Sequence, residues 1–408
     1  MSEMLSVGNE KREIFEKIAK IVQAFLTYYV FTENLHARKA GFTMNNMLRN
    51  AMGLILMKGC EEFGEKVLYY LKEWNKFVVE PLIEASCPRF ATGEAKGIIN
   101  ESVRGKDLFI ICDPFNYSVG YEMYKQLVPM SPDDHFQDLK RILGAAGGKE
   151  KRVTVIMPAL YEGRQDRKTG RESLDCALGL RELVNMGVSN IITFDAHDTR
   201  VQNAVPLCGF DNMEPRYQMI KAFLKTYPGY KFERDKVMIV TPDEGGINRS
   251  IAYSTVLGLE MGVFSKRRDF KNVVGGTNPI TGQEYIGGDV RGKDVIVTDD
   301  IIATGNSLLE TCKVLKEKGA DHIYLFVTFG QFCNGSSGFD IMYDKGQLDK
   351  VFITNLIYTP KELLGKPWLV SVDLSKYVAY IIDAIFNDYS VGAIIDPEAK
   401  ISALLANN

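Results

Sequence analysis

Near the start of the chain, Ile14, Ile18, Ile21, Val22, Phe25 and Leu26 recur at three- and four-residue spacing. This spacing gathers them on one face of a helix. A second helical stretch is expected over residues 45–71, with 72–80 as its continuation. From about residue 90 the texture changes. Short β-branched or apolar runs stand at 108–111, 153–157, 190–194, 237–240, 295–298 and 322–327, each followed by a loop and a helical pattern. Alternating strand and helix signals predict parallel sheets flanked by helices, an α/β fold.

One pentapeptide occurs twice. Residues 103–107 and 290–294 both read Val-Arg-Gly-Lys-Asp, and each leads into a strand, an aspartate (Asp113 or Asp299), a loop and a helix. Identity in the same setting implies two similar α/β domains from one duplicated unit.

Composition narrows the chemistry. With 408 residues the chain is long enough for two or three domains. A net charge of −3 gives no ground for nucleic acid or an anionic membrane as partner, so any anion site is built locally. Seven scattered cysteines without a CxxC pair read as reduced thiols. Glu3 and Glu10 argue against a secretory signal, and an apolar run such as 52–57 is too short to span a bilayer. A cytoplasmic protein is expected.

The strongest local signal is the segment 295–308, where a strand delivers Asp299 and Asp300, then the small-residue loop Ala303, Thr304, Gly305, Asn306, Ser307, then a helix from about Leu308. Such a loop leaves backbone amides free at a helix N-terminus, where the dipole favours an anion. The two carboxylates can accept hydrogen bonds from sugar hydroxyls. A pocket for a sugar phosphate would be built this way. The segment resembles the motif shared by phosphoribosyltransferases and phosphoribosyl diphosphate (PRPP) synthetases.

Arg164, Gln165, Asp166, Arg167 and Lys168 put three cations and an amide after a strand, a composition suited to a polyphosphate. This pentapeptide, with Tyr161 before it, looks like the ATP-binding segment of ribose-phosphate diphosphokinases, and it separates them from the transferases. Asp195 and His197 follow the strand at 190–194, and Asp243 follows the one at 237–240. At strand ends such residues project into the ligand crevice. The resemblance assigns His197 and Asp243 to Mg²⁺, with Asp195 close by. Lys266, Arg267 and Arg268 stand at the root of a glycine-containing stretch, 269–288. In the family the matching lysine and second arginine stabilise the transition state, which makes Lys266 and Arg268 the catalytic candidates. Phe90 and Glu94 match a segment whose aromatic and acidic residues contact adenine from a neighbouring subunit, so a homo-oligomer is implied.

The ordered match runs from about residue 90 to 375. It implies two phosphoribosyltransferase-type domains, ATP and ribose 5-phosphate as substrates, Mg²⁺ as cofactor, and PRPP and AMP as products. The boundaries expected are a helical extension at 1–85, domains at 86–225 and 226–390, and a tail at 391–408. The chain departs from the family at Thr92, where an aspartate is usual, and at Ala303, where an acid is usual. The first 80 residues are expected to have no counterpart in the common form. A phosphoribosyltransferase and a non-catalytic partner of a synthetase are the competing readings. The missing GxxxxGK[ST] pattern excludes a P-loop kinase.

Overall fold

The computed structural model describes residues 51–408 apart from 76, 78 and 269–279, and only the backbone of 266–268, 280–283, 393 and 395. The helical face expected at 14–26 lies outside the described residues. All six apolar runs read from the sequence are strands, buried on both faces as parallel strands between helices must be. Two sheets result.

The first sheet has five parallel strands in chain order: β1 (Met52–Leu56), β2 (Asp107–Ile111), β3 (Arg152–Ile156), β4 (Asn190–Phe194) and β5 (Gly209–Met213). The second has seven: β6 (Val237–Thr241), β7 (Glu260–Arg268), β8 (Ile280–Ile286), β9 (Asp294–Ile302), β10 (Ile323–Gly330), β11 (Lys350–Thr354) and β12 (Leu369–Val372). Its spatial order is β8-β7-β6-β9-β10-β11-β12, with only the β7–β8 pair antiparallel. The strand order reverses between β6 and β9, where ligands collect in open α/β sheets.

The duplicated pentapeptide builds the same turn twice. Gly105 and Gly292 adopt φ of 72° and 67°, the left-handed region that glycine enters without strain. The Gly105 N–H donates to the Lys149 carbonyl (2.9 Å), and the Gly292 N–H donates to the Gly319 carbonyl (2.8 Å). The Lys106 and Lys293 carbonyls accept from the amides of Lys151 and Asp321, each at 2.8 Å. Strand registers correspond as well: Asp107 faces Met52 and Arg152, and Asp294 faces Val237. β1 to β5 are thus mirrored by β6, β9, β10, β11 and β12.

The structure corrects three expectations. Residues 52–56 are a strand, not part of a helix over 45–71. Met52, Leu54 and Ile55 are buried in the ladder with β2, and a short apolar run does not distinguish buried strand from buried helix. A helix does follow, but only from Glu61 to Trp74. The first α/β unit therefore starts with β1, before the boundary expected at 85/86. At the other end, Glu398–Ala406 is a helix with Ile401 fully buried, so 391–408 is part of the packed structure.

Candidate active site

The carboxyl end of β9 carries Asp299 and Asp300 to the point where the strand order reverses. The helix Asn306–Glu317 follows, and its N-cap is Gly305 in the left-handed conformation, φ 81°, with no side-chain cap. Neither aspartate is spent on capping that helix. A Cβ at Gly305 would lie 2.6 and 2.8 Å from Phe339 ring atoms, so the loop seats against that ring only as glycine. Asp243, after β6, bends the next turn by accepting from the amides of Gly245 (3.0 Å) and Gly246 (3.3 Å).

A buried charge array lies beneath the loop. Arg249, on the helix Ile247–Leu257, donates from Nε to both oxygens of Asp195 at 2.9 Å. Its Nη1 is 3.7 Å from Asp299 Oδ1 and its Nη2 is 3.6 Å from Asp300 Oδ1. His197 Nδ1 lies 2.8 Å from Asp300 Oδ2. Thr328 Oγ1 donates to Asp195 Oδ2 at 2.5 Å.

These neighbours set the protonation of the array. Burial opposes the Asp300 charge, but Arg249 and His197 overcome it and hold its carboxyl below the usual range. Asp299 moves the other way, raised by burial and then by the charge of Asp300. The hydrogen bond to Asp300 raises the His197 pKa against the opposing effect of burial. Burial also raises Asp195, despite Arg249.

The structure brings most of the sequence candidates together. Arg164, His197, Asp243, Asp299, Asp300, Ala303, Thr304, Gly305 and Ser307 line one cleft. Asp166 and Arg167 line an adjoining cleft that shares His197, Gly245 and Arg249 with it. Both Asp166 carboxylate oxygens are buried without a hydrogen-bond partner, and Arg167 Nε stands 3.6 Å away. Lys168 is exposed, and Gln165 is fixed through its amide to the Glu162 carbonyl (2.8 Å). Asn306 is exposed in the first helical turn.

Two groups of candidates stand apart. Phe90, 57% exposed, lies with Glu94 in a tight turn closed by the Phe90 amide on the Glu94 carbonyl (2.7 Å), and neither residue lines these clefts. Lys266 and Arg268 lie on β7 opposite Gln283 and Ile280, with side chains outside the description. Just before them, Ser265 Oγ donates to Glu244 Oε1 at 2.8 Å, which ties the root of the basic triplet to the residue after Asp243. Of the residues suggested for a metal, His197 and Asp243 line the cleft; among the described residues the cluster of three such donors is Asp294, Asp321 and His322, at the opposite ends of the strands. Asp195 is occupied by Arg249 and Thr328.

Sequence reasoning missed Arg249 and Thr328. Their signals were faint: an arginine in the first helical turn after Asp243-Glu-Gly-Gly, and a hydroxyl inside the wholly buried strand β10.

Comparison with known proteins fits this geometry. Residues 4–187 match the N-terminal domain of ribose phosphate pyrophosphokinase, and residues 210–351 match the phosphoribosyl transferase domain. The first match starts at residue 4, so the early residues do have a counterpart in the family. The chain is 30% identical over 321 residues to a ribose-phosphate pyrophosphokinase of Vibrio parahaemolyticus, covering 77% of this chain and 91% of that one. It is 28% identical over 318 residues to one of Maricaulis maris, covering 78% and 93%. The crystal structure of phosphoribosylpyrophosphate synthetase from Mycobacterium smegmatis superposes with a TM-score of 0.67 at 23% identity, covering 83% of this chain and 99% of that one, so the fold is shared. With its two α/β units meeting at one cleft, the chain belongs to the ribose-phosphate pyrophosphokinase family.

Proposed function

We propose that this enzyme transfers the β,γ-diphosphoryl group of ATP to the 1-hydroxyl of ribose 5-phosphate in the cleft between the two α/β units. The observation that carries the reading is that Arg164 and His197, from the first unit, line the same cleft as Asp243, Asp299, Asp300 and the loop 303–307 of the second. The amides and hydroxyls of 303–307 hold the 5-phosphate at the helix N-terminus. Asp299 and Asp300 accept from the ribose hydroxyls. The segment 164–168 takes the polyphosphate.

The 1-hydroxyl oxygen forms a bond to the β-phosphorus and gives up its proton to solvent, while the bond from that phosphorus to the oxygen that leaves with AMP breaks. PRPP and AMP are the products. Alignment and charge neutralisation are what the protein contributes to such a transfer. Lys266 and Arg268 supply positive charge to the transferring group.

Mg²⁺ fits the donors present. Asp243 and His197 line one cleft, and a hard cation needs only one or two protein groups when phosphates and water complete its shell. When bound, it would supply positive charge against the polyphosphate and the charge that develops during transfer. Asp195, already paired with Arg249, buttresses this group. Phe90 and Glu94, outside their own chain's cleft, complete the adenine site of a second copy in a cytoplasmic homo-oligomer.

The test is AMP release from ATP and Mg²⁺ with and without ribose 5-phosphate. AMP and PRPP formed only with the sugar phosphate support the reading. A folded protein that releases no AMP across a range of phosphate concentrations would remove it.

A further inference from the structure

We propose that Arg249 is a positioning residue that fixes the ATP-carrying half of the cleft against the sugar-phosphate half; this rests on the function proposed above. The side chain belongs to the second unit and is 14% exposed. Its strongest partner, Asp195, belongs to the first, immediately after β4. Both Asp195 oxygens are held from across the domain boundary, by Arg249 Nε at 2.9 Å and on one oxygen also by Thr328.

Asp195 is held rigidly from its own side as well. Its φ is 40°, a conformation that a residue with a Cβ keeps only where its surroundings over-determine it. Its amide donates to the Met213 carbonyl (2.9 Å), and the next amide, of Ala196, donates to Asn212 Oδ1 (2.9 Å). His197 follows directly and reaches back to Asp300, which faces Arg249 again at 3.6 Å. A closed ring results, running from Arg249 to Asp195, along the backbone to His197, across to Asp300 and back. It crosses between the two sheets twice.

The kinetic consequence follows from what the ring does not include. The loop 303–307 is borne by the second unit alone and keeps its shape through Gly305 and Phe339. Loosening the ring should therefore leave the 5-phosphate anchor in place, weaken ribose 5-phosphate binding only modestly through Asp299 and Asp300, and chiefly impair transfer, because in-line transfer depends on the relative placement of the two substrates.

Two variants retain the charge balance. Arg249→Lys keeps the cation but loses the fork that reaches three carboxylates. Thr328→Val removes one hydrogen bond to Asp195 without altering charge. Steady-state kinetics on folded protein, normalised by circular dichroism, should show kcat lowered at least about tenfold for Arg249→Lys, with KM for ribose 5-phosphate within about twofold. Thr328→Val should lower kcat in the same direction by about threefold. A merely structural role would lower the melting temperature and leave kcat per folded molecule unchanged; that result, or a loss confined to KM for ribose 5-phosphate, would overturn the proposal. Wild-type enzyme without AMP release would instead remove the reading on which it rests.

Discussion

Asp113 matches Asp300, six residues beyond each copy of Val-Arg-Gly-Lys-Asp, rather than the Asp299 first paired with it, and each is bonded by the opposite domain. Asp113 Oδ2 accepts from the Tyr358 amide at 2.7 Å, and Asp300 Oδ2 faces His197 at 2.8 Å. Tyr358 follows β11 as His197 follows β4, and those strands are counterparts. The two contacts therefore stand at corresponding strand ends of the two units. The Asp300 contact lines the cleft, and the Asp113 contact fastens one unit to the other.

The fastening has a pH signature. Burial raises the Asp113 pKa from 3.8 to about 6, even though the amides of Tyr358 and Phe115 favour its charge. The folded state thus holds a proton that the unfolded state releases. This contribution to stability is complete below the unfolded pKa and is lost as pH rises through about 6. Denaturant titrations of wild type and Asp113→Asn should show the wild-type advantage shrinking between about pH 4 and 6, by at most about 3 kcal/mol. A difference independent of pH would contradict this account.

Gly305→Ala should raise KM for ribose 5-phosphate by about tenfold or more and lower the melting temperature by a few degrees. The new Cβ must adopt a left-handed φ, at a cost of about 1 kcal/mol, and it meets Phe339 at 2.6 Å. Unchanged KM would remove the loop 303–307 from sugar-phosphate binding.

Lys266→Ala should fold normally and lose about a hundredfold or more in kcat, since it removes charge stabilisation felt mainly in the transition state. Near-normal turnover would show that the basic triplet is not catalytic.

Phe90→Ala should raise KM for ATP and leave KM for ribose 5-phosphate alone. Mixed with Lys266→Ala and allowed to exchange subunits, it should recover activity above the sum of the two, because hybrid assemblies contain sites with both residues intact. A strictly additive mixture would place the adenine contact within one chain.

Much of this architecture was legible because buried parallel strands write themselves as apolar runs. β2, β3, β4, β6, β9 and β10 were found in that way. Strand β1 was hidden by its neighbours: its apolar run abuts the helix Glu61–Trp74, and one period cannot be told from the other over five residues. Strand β5, with the sequence Gly-Phe-Asp-Asn-Met, is only partly buried and lacks a continuous apolar run. In the cleft, the residues visible in sequence are those on strand-end loops, where small and charged types cluster. Arg249 escaped notice because its role depends on Asp195, which is distant in sequence and meets it only when the sheets are assembled.

The paired turns at Gly105 and Gly292 have a consequence for how this architecture can vary. Each is stitched by two backbone hydrogen bonds to the segment preceding the neighbouring strand, so the amino ends of both sheets form a fixed foot. The opposite ends form the rim of loops that carries the cleft residues. Insertions and deletions that lengthen or shorten the protein should accumulate at the rim and spare the foot. An engineer grafting a new acceptor pocket would do best to rebuild the rim and leave the two pentapeptides untouched.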